Sequence, residues 1–193
     1  QGWIGRHTGE CDFDGDADND LFIGVRAKPF QYGIPANGYL LKNNGRGKFE
    51  NVTQAVAPGL IGVGMITDAC WFDYDGDHDS DLIIVGDWMP ITLFKNDNGI
   101  FTDVSMQAGL QNTNGFWNCI EVADLDSDGD LDFVAGNHGL NTRFNASYEK
   151  PVTLYVNDID GNGKLEQIIT TYNGDVAYPL HMRTDLVEQI PSL

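Results

Sequence analysis

The sequence predicts an all-β chain assembled from a repeated unit, and three observations carry that prediction. A nine-residue acidic loop, with oxygen-bearing side chains at alternate positions, begins at Asp12, Asp73, Asp124 and Asp158. Each loop runs directly into a short apolar stretch rich in β-branched or aromatic residues, a composition that favours strand over helix. Finally, Tyr39–Thr53 and Ile91–Ser105 share one layout: an apolar strand, an Asn/Gly turn and a second strand carrying Phe and Val at matching places, which is a β-hairpin.

In chain order, the strands expected after the loops are Leu21–Val25, Leu82–Gly86, Phe133–Gly136 and Gln167–Tyr172. One unit is therefore strand, acidic loop, strand, strand, Asn-Gly turn, strand. The loop starts are separated by 61, 51 and 34 residues, and the first two spacings resemble the roughly 40 to 50 residues of a four-stranded propeller blade. The last spacing is too short for a full blade. The third unit is thus expected to have lost or shortened its outer hairpin, leaving the polar stretch Asn137–Pro151 without a strand pattern. The fold class is all-β: a β-propeller segment of three to four blades in a partial or irregular ring. It forms one domain over residues 1–193, with units at about 1–60, 61–112, 113–150 and 151–180. Residues 181–193 are a helical extension, with a short helix over Thr184–Ile190, Asp185 as its N-cap, Glu188 three residues on, and Pro191 beyond its end.

The formal net charge is −18, but the four loops hold 18 of the 29 acidic residues, and elsewhere 11 acids face 10 bases. Acidity is a property of the loops. It argues against a nucleic-acid partner and against anionic membrane surfaces. No apolar run is long enough for direct membrane insertion. The sequence begins at Gln1 without a Met or a signal peptide, so the chain reads as a piece of a longer, exported protein, and an extracytoplasmic location is expected.

Carboxylates at this density repel one another unless a cation sits among them, and oxygen donors at alternate positions suit a hard ion such as Ca²⁺. Three to four ions are expected. An EF-hand would use a bidentate Glu at position 12, where this chain has Ile23, Ile84, Ala135 and Ile169. Position 9 is acidic every time instead, as Asp20, Asp81, Asp132 and Glu166, which closes the site within nine residues and needs no following helix. Solvated acidic turns are the alternative for any single loop, since Asp, Asn and Gly favour turns, but they do not explain four copies in phase with strands. The sixth position holds Gly129 and Gly163 in the last two loops, where a tight turn favours positive φ, but Ala17 and His78 in the first two, which suggests a strained or slightly different turn and a weaker metal affinity there.

At these residues the chain resembles the FG-GAP or VCBS repeat family, whose pattern is roughly Asp-x-Asp/Asn-Gly-Asp-Gly-x-x-Asp-Leu followed by a strand. Members include integrin α-subunit propellers and bacterial proteins resembling cartilage acidic protein, the ASPIC/UnbV group. The Asp-Leu ending stands at Asp20-Leu21 and Asp81-Leu82, the hairpin from Asn43 to Thr53 is similar to that bacterial group, and the likeness covers about residues 10–175. The resemblance implies Ca²⁺ in each loop, held by side chains at positions 1, 3, 5 and 9 and a carbonyl at 7. In this sequence those are Asp12, Asp14, Asp16, Asp18 and Asp20; Asp73, Asp75, Asp77, Asp79 and Asp81; Asp124, Asp126, Asp128, Asp130 and Asp132; and Asp158, Asp160, Asn162, Lys164 and Glu166. A carbonyl ligand tolerates Lys at position 7. Family propellers usually have seven blades, so either the rest of a parent chain completes the ring or the chain closes in an unusual way.

For catalysis, the sequence has no GxSxG, HExxH, Walker or GxGxxG motif; Gly59, Gly62 and Gly64 are spaced differently. The reading is a non-catalytic scaffold for a protein or glycan ligand. Its rival is a carbohydrate-active enzyme domain, since some propeller enzymes resembling this repeat, polysaccharide lyases among them, act with His, Tyr and Arg; the candidates are His138, Arg143, Tyr148, His181 and Arg183. Of the tryptophans, Trp71 and Trp117 are expected in the core and Trp88 at the surface, with Trp3 a further candidate for stacking on sugar. Cys11, Cys70 and Cys119 are expected as buried small side chains, with one disulfide and an odd thiol as the alternative. Asn51-Val-Thr53 and Asn145-Ala-Ser147 are glycosylation sequons.

Overall fold

The computed structural model describes residues 9–139 and 142–190, so Trp3 and Pro191 lie outside the described residues. The chain divides into two compact units, one of Gln1–Pro29 with Pro35–His138, the other of Phe30–Ile34 with Gly139–Leu193.

Unit 1 begins with β1 (Gly9–Cys11), β2 (Asp20–Gly24), β3 (Gly38–Asn43) and β4 (Phe49–Asn51), an antiparallel sheet in that order. A short helix, α1 (Thr53–Val56), and a 3-10 turn lead to β5 (Met65–Phe72), β6 (Asp81–Met89), β7 (Thr92–Asp97) and β8 (Ile100–Asp103), which repeat the same four-stranded plan. The third copy supplies only β9 (Gly115–Ala123) and β10 (Asp132–Asn137), and β9 also pairs with the end of β6, Asp87 opposite Phe116 and Met89 opposite Gly115. Both expected hairpins form, β3 with β4 and β7 with β8. The third copy lacks its outer pair among the described residues, as the short spacing predicted. Unit 2 contains β11 (Thr153–Asn157), β12 (Glu166–Asn173) and β13 (Val176–Pro179) as an antiparallel sheet, followed by α2 (Arg183–Gln189). The fold is a partial propeller of antiparallel blades.

The packing of unit 1 follows from the period-2 alternation of strand side chains. In β2 one face is buried, with Phe22 inside, whereas β6 is buried on both faces. Leu82 and Ile84 enter a core with Phe13, Phe22, Leu40, Leu60 and Phe94, and Ile83 and Val85 enter a second core with Phe72, Ile91, Leu93 and Ile120. Trp71 packs against the first core and Trp117 against the second, as expected. At Gly86 a Cβ would lie 2.1 Å from the Met65 carbonyl oxygen, so only glycine lets β5 and β6 come this close.

Two expectations are corrected. Asp185 is not the N-cap of α2: Met182 holds that place, and Asp185, at the third helical position, accepts the Met182 N–H at 3.1 Å. Acid at this place satisfies an orphan donor just as well, from inside the first turn. The cysteines are free, but only Cys11 and Cys70 are half-buried, while Cys119 is exposed. Strand alternation turns Cys119 to the side of β9 opposite Ile120, a side that neither core of unit 1 covers.

Candidate metal centre

Each acidic loop joins the first two strands of its sheet, β1 to β2, β5 to β6, β9 to β10 and β11 to β12, so the strand ladder brings its two ends together. One bonding scheme recurs within the loops. The N–H at position 2 donates to the carboxylate at position 9: Phe13 to Asp20 at 3.2 Å, Tyr74 to Asp81 at 2.7 Å, Leu125 to Asp132 at 3.1 Å and Ile159 to Glu166 at 2.7 Å. The N–H at position 6 donates to the carboxylate at position 1, from Ala17, His78, Gly129 and Gly163 at 2.8, 3.1, 3.2 and 3.0 Å. Position 5 accepts the N–H of position 7 in every copy, at 2.8 to 3.1 Å. These bonds wrap the backbone around the position 1 carboxylate and require left-handed turns. Ala17 and His78 both have φ of 71°, beside 96° at Gly129 and 83° at Gly163.

The consequence is convergence. In each loop one oxygen from each of positions 1, 3 and 9 lies within 4.8 Å of the others: Asp12, Asp14 and Asp20; Asp73, Asp75 and Asp81; Asp124, Asp126 and Asp132; Asp158, Asp160 and Glu166. These groups could hold a metal ion. The donor set is hard oxygen throughout, and Asp14 Oδ1 is buried with no hydrogen-bond partner, an acceptor that a cation would satisfy. Positions 5 and 7 lie outside these groups. At position 7 the Asp79 carboxylate accepts the Asn98 N–H of the β7–β8 turn through Oδ2 at 2.8 Å.

In the first two loops the ring of contacts extends to the hairpin strand. Asn43 N–H donates to Asp20 Oδ1 at 2.7 Å, and Asn96 N–H to Asp81 Oδ1 at 2.6 Å. Each asparagine also closes the loop with its amide, Asn43 to the Asn19 carbonyl at 3.0 Å and Asn96 to the Ser80 carbonyl at 3.1 Å. Burial pushes the Asp20 and Asp81 carboxyls above the ordinary carboxylate range, and their backbone donors oppose that rise. The residue before each asparagine is a lysine. Lys42 Nζ bonds Asp14 and lies 3.0 Å from Asp16, while Lys95 Nζ bonds Asp75 and lies 3.1 Å from Asp77. The Lys42 hydrogen bond holds Asp16 below the usual range; at Asp77 the Asp79 N–H is the larger cause and Lys95 the next. Sequence reasoning missed these four residues, although Lys-Asn recurs at the same place in both hairpins.

A profile of the FG-GAP-like repeat matches residues 12–84 and again residues 73–135, each match running from one acidic loop through the next and into the strand beyond it. The chain belongs to the FG-GAP-like repeat family. No curated protein matches it. The fourth loop lies beyond the matched FG-GAP-like spans but keeps the bonds between positions 2 and 9, 6 and 1, and 7 and 5.

The other candidates of this FG-GAP-like chain are divided between the two units. His138 packs edge-on against Phe116 in unit 1, with ring centroids 5.0 Å apart. In unit 2, Arg143 lies over the Phe144 ring, Tyr148 is 83 % exposed and His181 has Nδ1 buried. Arg183 opens α2. Trp88, with φ of 59°, stands at the irregular pairing of β6 and β9, is half-buried and meets Phe116 edge-on at 5.5 Å. No helix among the described residues is long and apolar enough to cross a membrane.

Proposed function

We propose that this chain is a calcium-stabilised, extracytoplasmic propeller scaffold that binds a protein or glycan ligand and does no chemistry of its own. The observation that supports this most strongly is the convergence of positions 1, 3 and 9 in all four loops on one shared bonding scheme. A Ca²⁺ ion in such a group would be held by the carboxylates of positions 1, 3 and 9. It would offset repulsion that the metal-free loops otherwise bear, so folding free energy is linked to Ca²⁺. Trp88, half-buried against Phe116, has part of its ring left for a ligand, and it stands seven residues along β6 from Asp81, about 23 Å at the usual strand rise from where an ion would sit.

Calorimetric titration of the chelated protein with Ca²⁺, with a thermal melt at each end point, tests the reading. Three or four sites and a large gain in melting temperature are expected. A melt unchanged by EDTA would refute the structural role of the metal.

A further inference from the structure

The two lysines of the hairpin strands are placed alike, each one residue before the asparagine that bonds the position 9 carboxylate, and each reaches positions 3 and 5 of its own loop. Among the described residues, no lysine or arginine pairs with a carboxylate of the third or fourth loop. The same metal-loop plan therefore exists in two versions inside one chain. We propose that Lys42 and Lys95 are built-in counter-ions of the first two loops, holding their carboxylates together in the metal-free chain and setting those loops to a weaker Ca²⁺ affinity than the third.

The physical reason is that a fixed ammonium beside position 3 does part of the work of a bound cation. It relieves repulsion between carboxylates before the ion arrives, and it repels the ion once present. Tethering also matters: the lysine is delivered by a strand whose register is fixed by the β2–β3 or β6–β7 ladder, so it cannot drift away as a free ion can. At Asp14 the lysine takes Oδ2 and leaves Oδ1 buried without a hydrogen bond, so the carboxylate retains an oxygen for the metal while carrying the lysine on its other side. Among the described residues no lysine or arginine compensates the charge of the third loop. Its carboxylates are exposed, which lessens its repulsion without an ion.

This inference rests on the calcium reading above, and one experiment separates the two. The full chain is titrated with Ca²⁺ by calorimetry as wild type, Lys42→Met, Lys95→Met and the double variant, with melts in EDTA and in saturating Ca²⁺. Methionine keeps an apolar stem of similar length and removes the charge. Each single variant should tighten one site about tenfold and leave the others unchanged. Both should melt lower than wild type in EDTA and recover in Ca²⁺. Lys42→Arg, which keeps the charge, should bind as wild type does. Should the double variant not fold, the single variants carry the same comparison. Wild-type binding with identical isotherms in the methionine variants overturns the counter-ion role alone, whereas absence of Ca²⁺ binding in every protein overturns the calcium reading and this inference with it.

Discussion

Replacing His78 with glycine should make the protein more stable. The backbone at His78 has φ of 71°, a left-handed conformation that costs a residue bearing a Cβ about 1–2 kcal/mol. Glycine removes that cost but loses about 0.5–1 kcal/mol more conformational freedom on folding. The imidazole contributes little against this balance, since it is 94 % exposed and its one ionic contact is 3.5 Å from Asp73. The bond that shapes the loop is the His78 N–H to Asp73, which glycine keeps. The net gain is about 0.5–1 kcal/mol, or roughly 1–4 °C in melting temperature for a chain of this size. The reverse change has the opposite sign: at Gly129, φ is 96° and no atom lies within 4 Å of an added Cβ, so Gly129→Ala should cost about the same amount through the backbone alone. Urea unfolding in EDTA, followed by tryptophan fluorescence, is the assay, because every tryptophan of the sequence precedes residue 139 and so reports on unit 1. A His78→Gly protein no more stable than wild type would refute the claim that the sixth position is strained.

Asp81→Ala strips the acceptor from the buried Asn96 N–H and the part-buried Tyr74 N–H and should cost about 2–4 kcal/mol in EDTA, while Asp132→Ala, exposed and bonded among the described residues to Leu125, should cost less than about 1 kcal/mol. Urea midpoints of the two variants check the difference. Gly86→Ala would drive a Cβ into the Met65 carbonyl and should destabilise by at least about 2 kcal/mol, seen as a lowered melting temperature. Burial pushes the Cys70 thiol up to about 11 from an ordinary 9.0, so iodoacetamide at pH 8, read by mass spectrometry, should label Cys119 well before Cys70. Because the folded state favours the protonated thiol, the stability it contributes is complete below pH 9 and is lost as pH rises through about 11, a decline that Cys70→Ser should diminish in alkaline urea melts.

What the sequence made legible was local. The acidic loops, the strands that follow them and the two hairpins are written in stretches of nine to fifteen residues, where alternation and Asn-Gly turns speak for themselves. The strain at Ala17 and His78 was legible too, because the other two loops carry glycine at the same place. The hidden features depend on residues distant along the chain. Lys42 reaches Asp14 across 28 positions, and Asn96 reaches Phe13 across 83. Nothing in the spacing of Cys119 marks the uncovered side of β9, because a blade's outer face is buried only when another blade packs on it. The short stretch Phe30–Ile34 belongs to unit 2 although it lies between β2 and β3; Gly33 approaches Leu154 and Val156 so closely that a Cβ would fall within 3.0 Å of both. A contact between residues this far apart leaves no periodic trace.

Asn96 has a wider effect than closing its own loop. Its buried amide also donates to the Phe13 carbonyl at 2.8 Å, and the Phe13 N–H in turn donates to Asp20. Asp20 and Asp81, the closing carboxylates of neighbouring loops, therefore stand at the two ends of one continuous run of hydrogen bonds through Phe13 and Asn96. On the calcium reading proposed above, an ion that drew Asp81 would shift Asn96 and with it Phe13, whose N–H bonds Asp20, and any such coupling would be reciprocal. On that reading the first two repeats would respond to a cation as one unit rather than two.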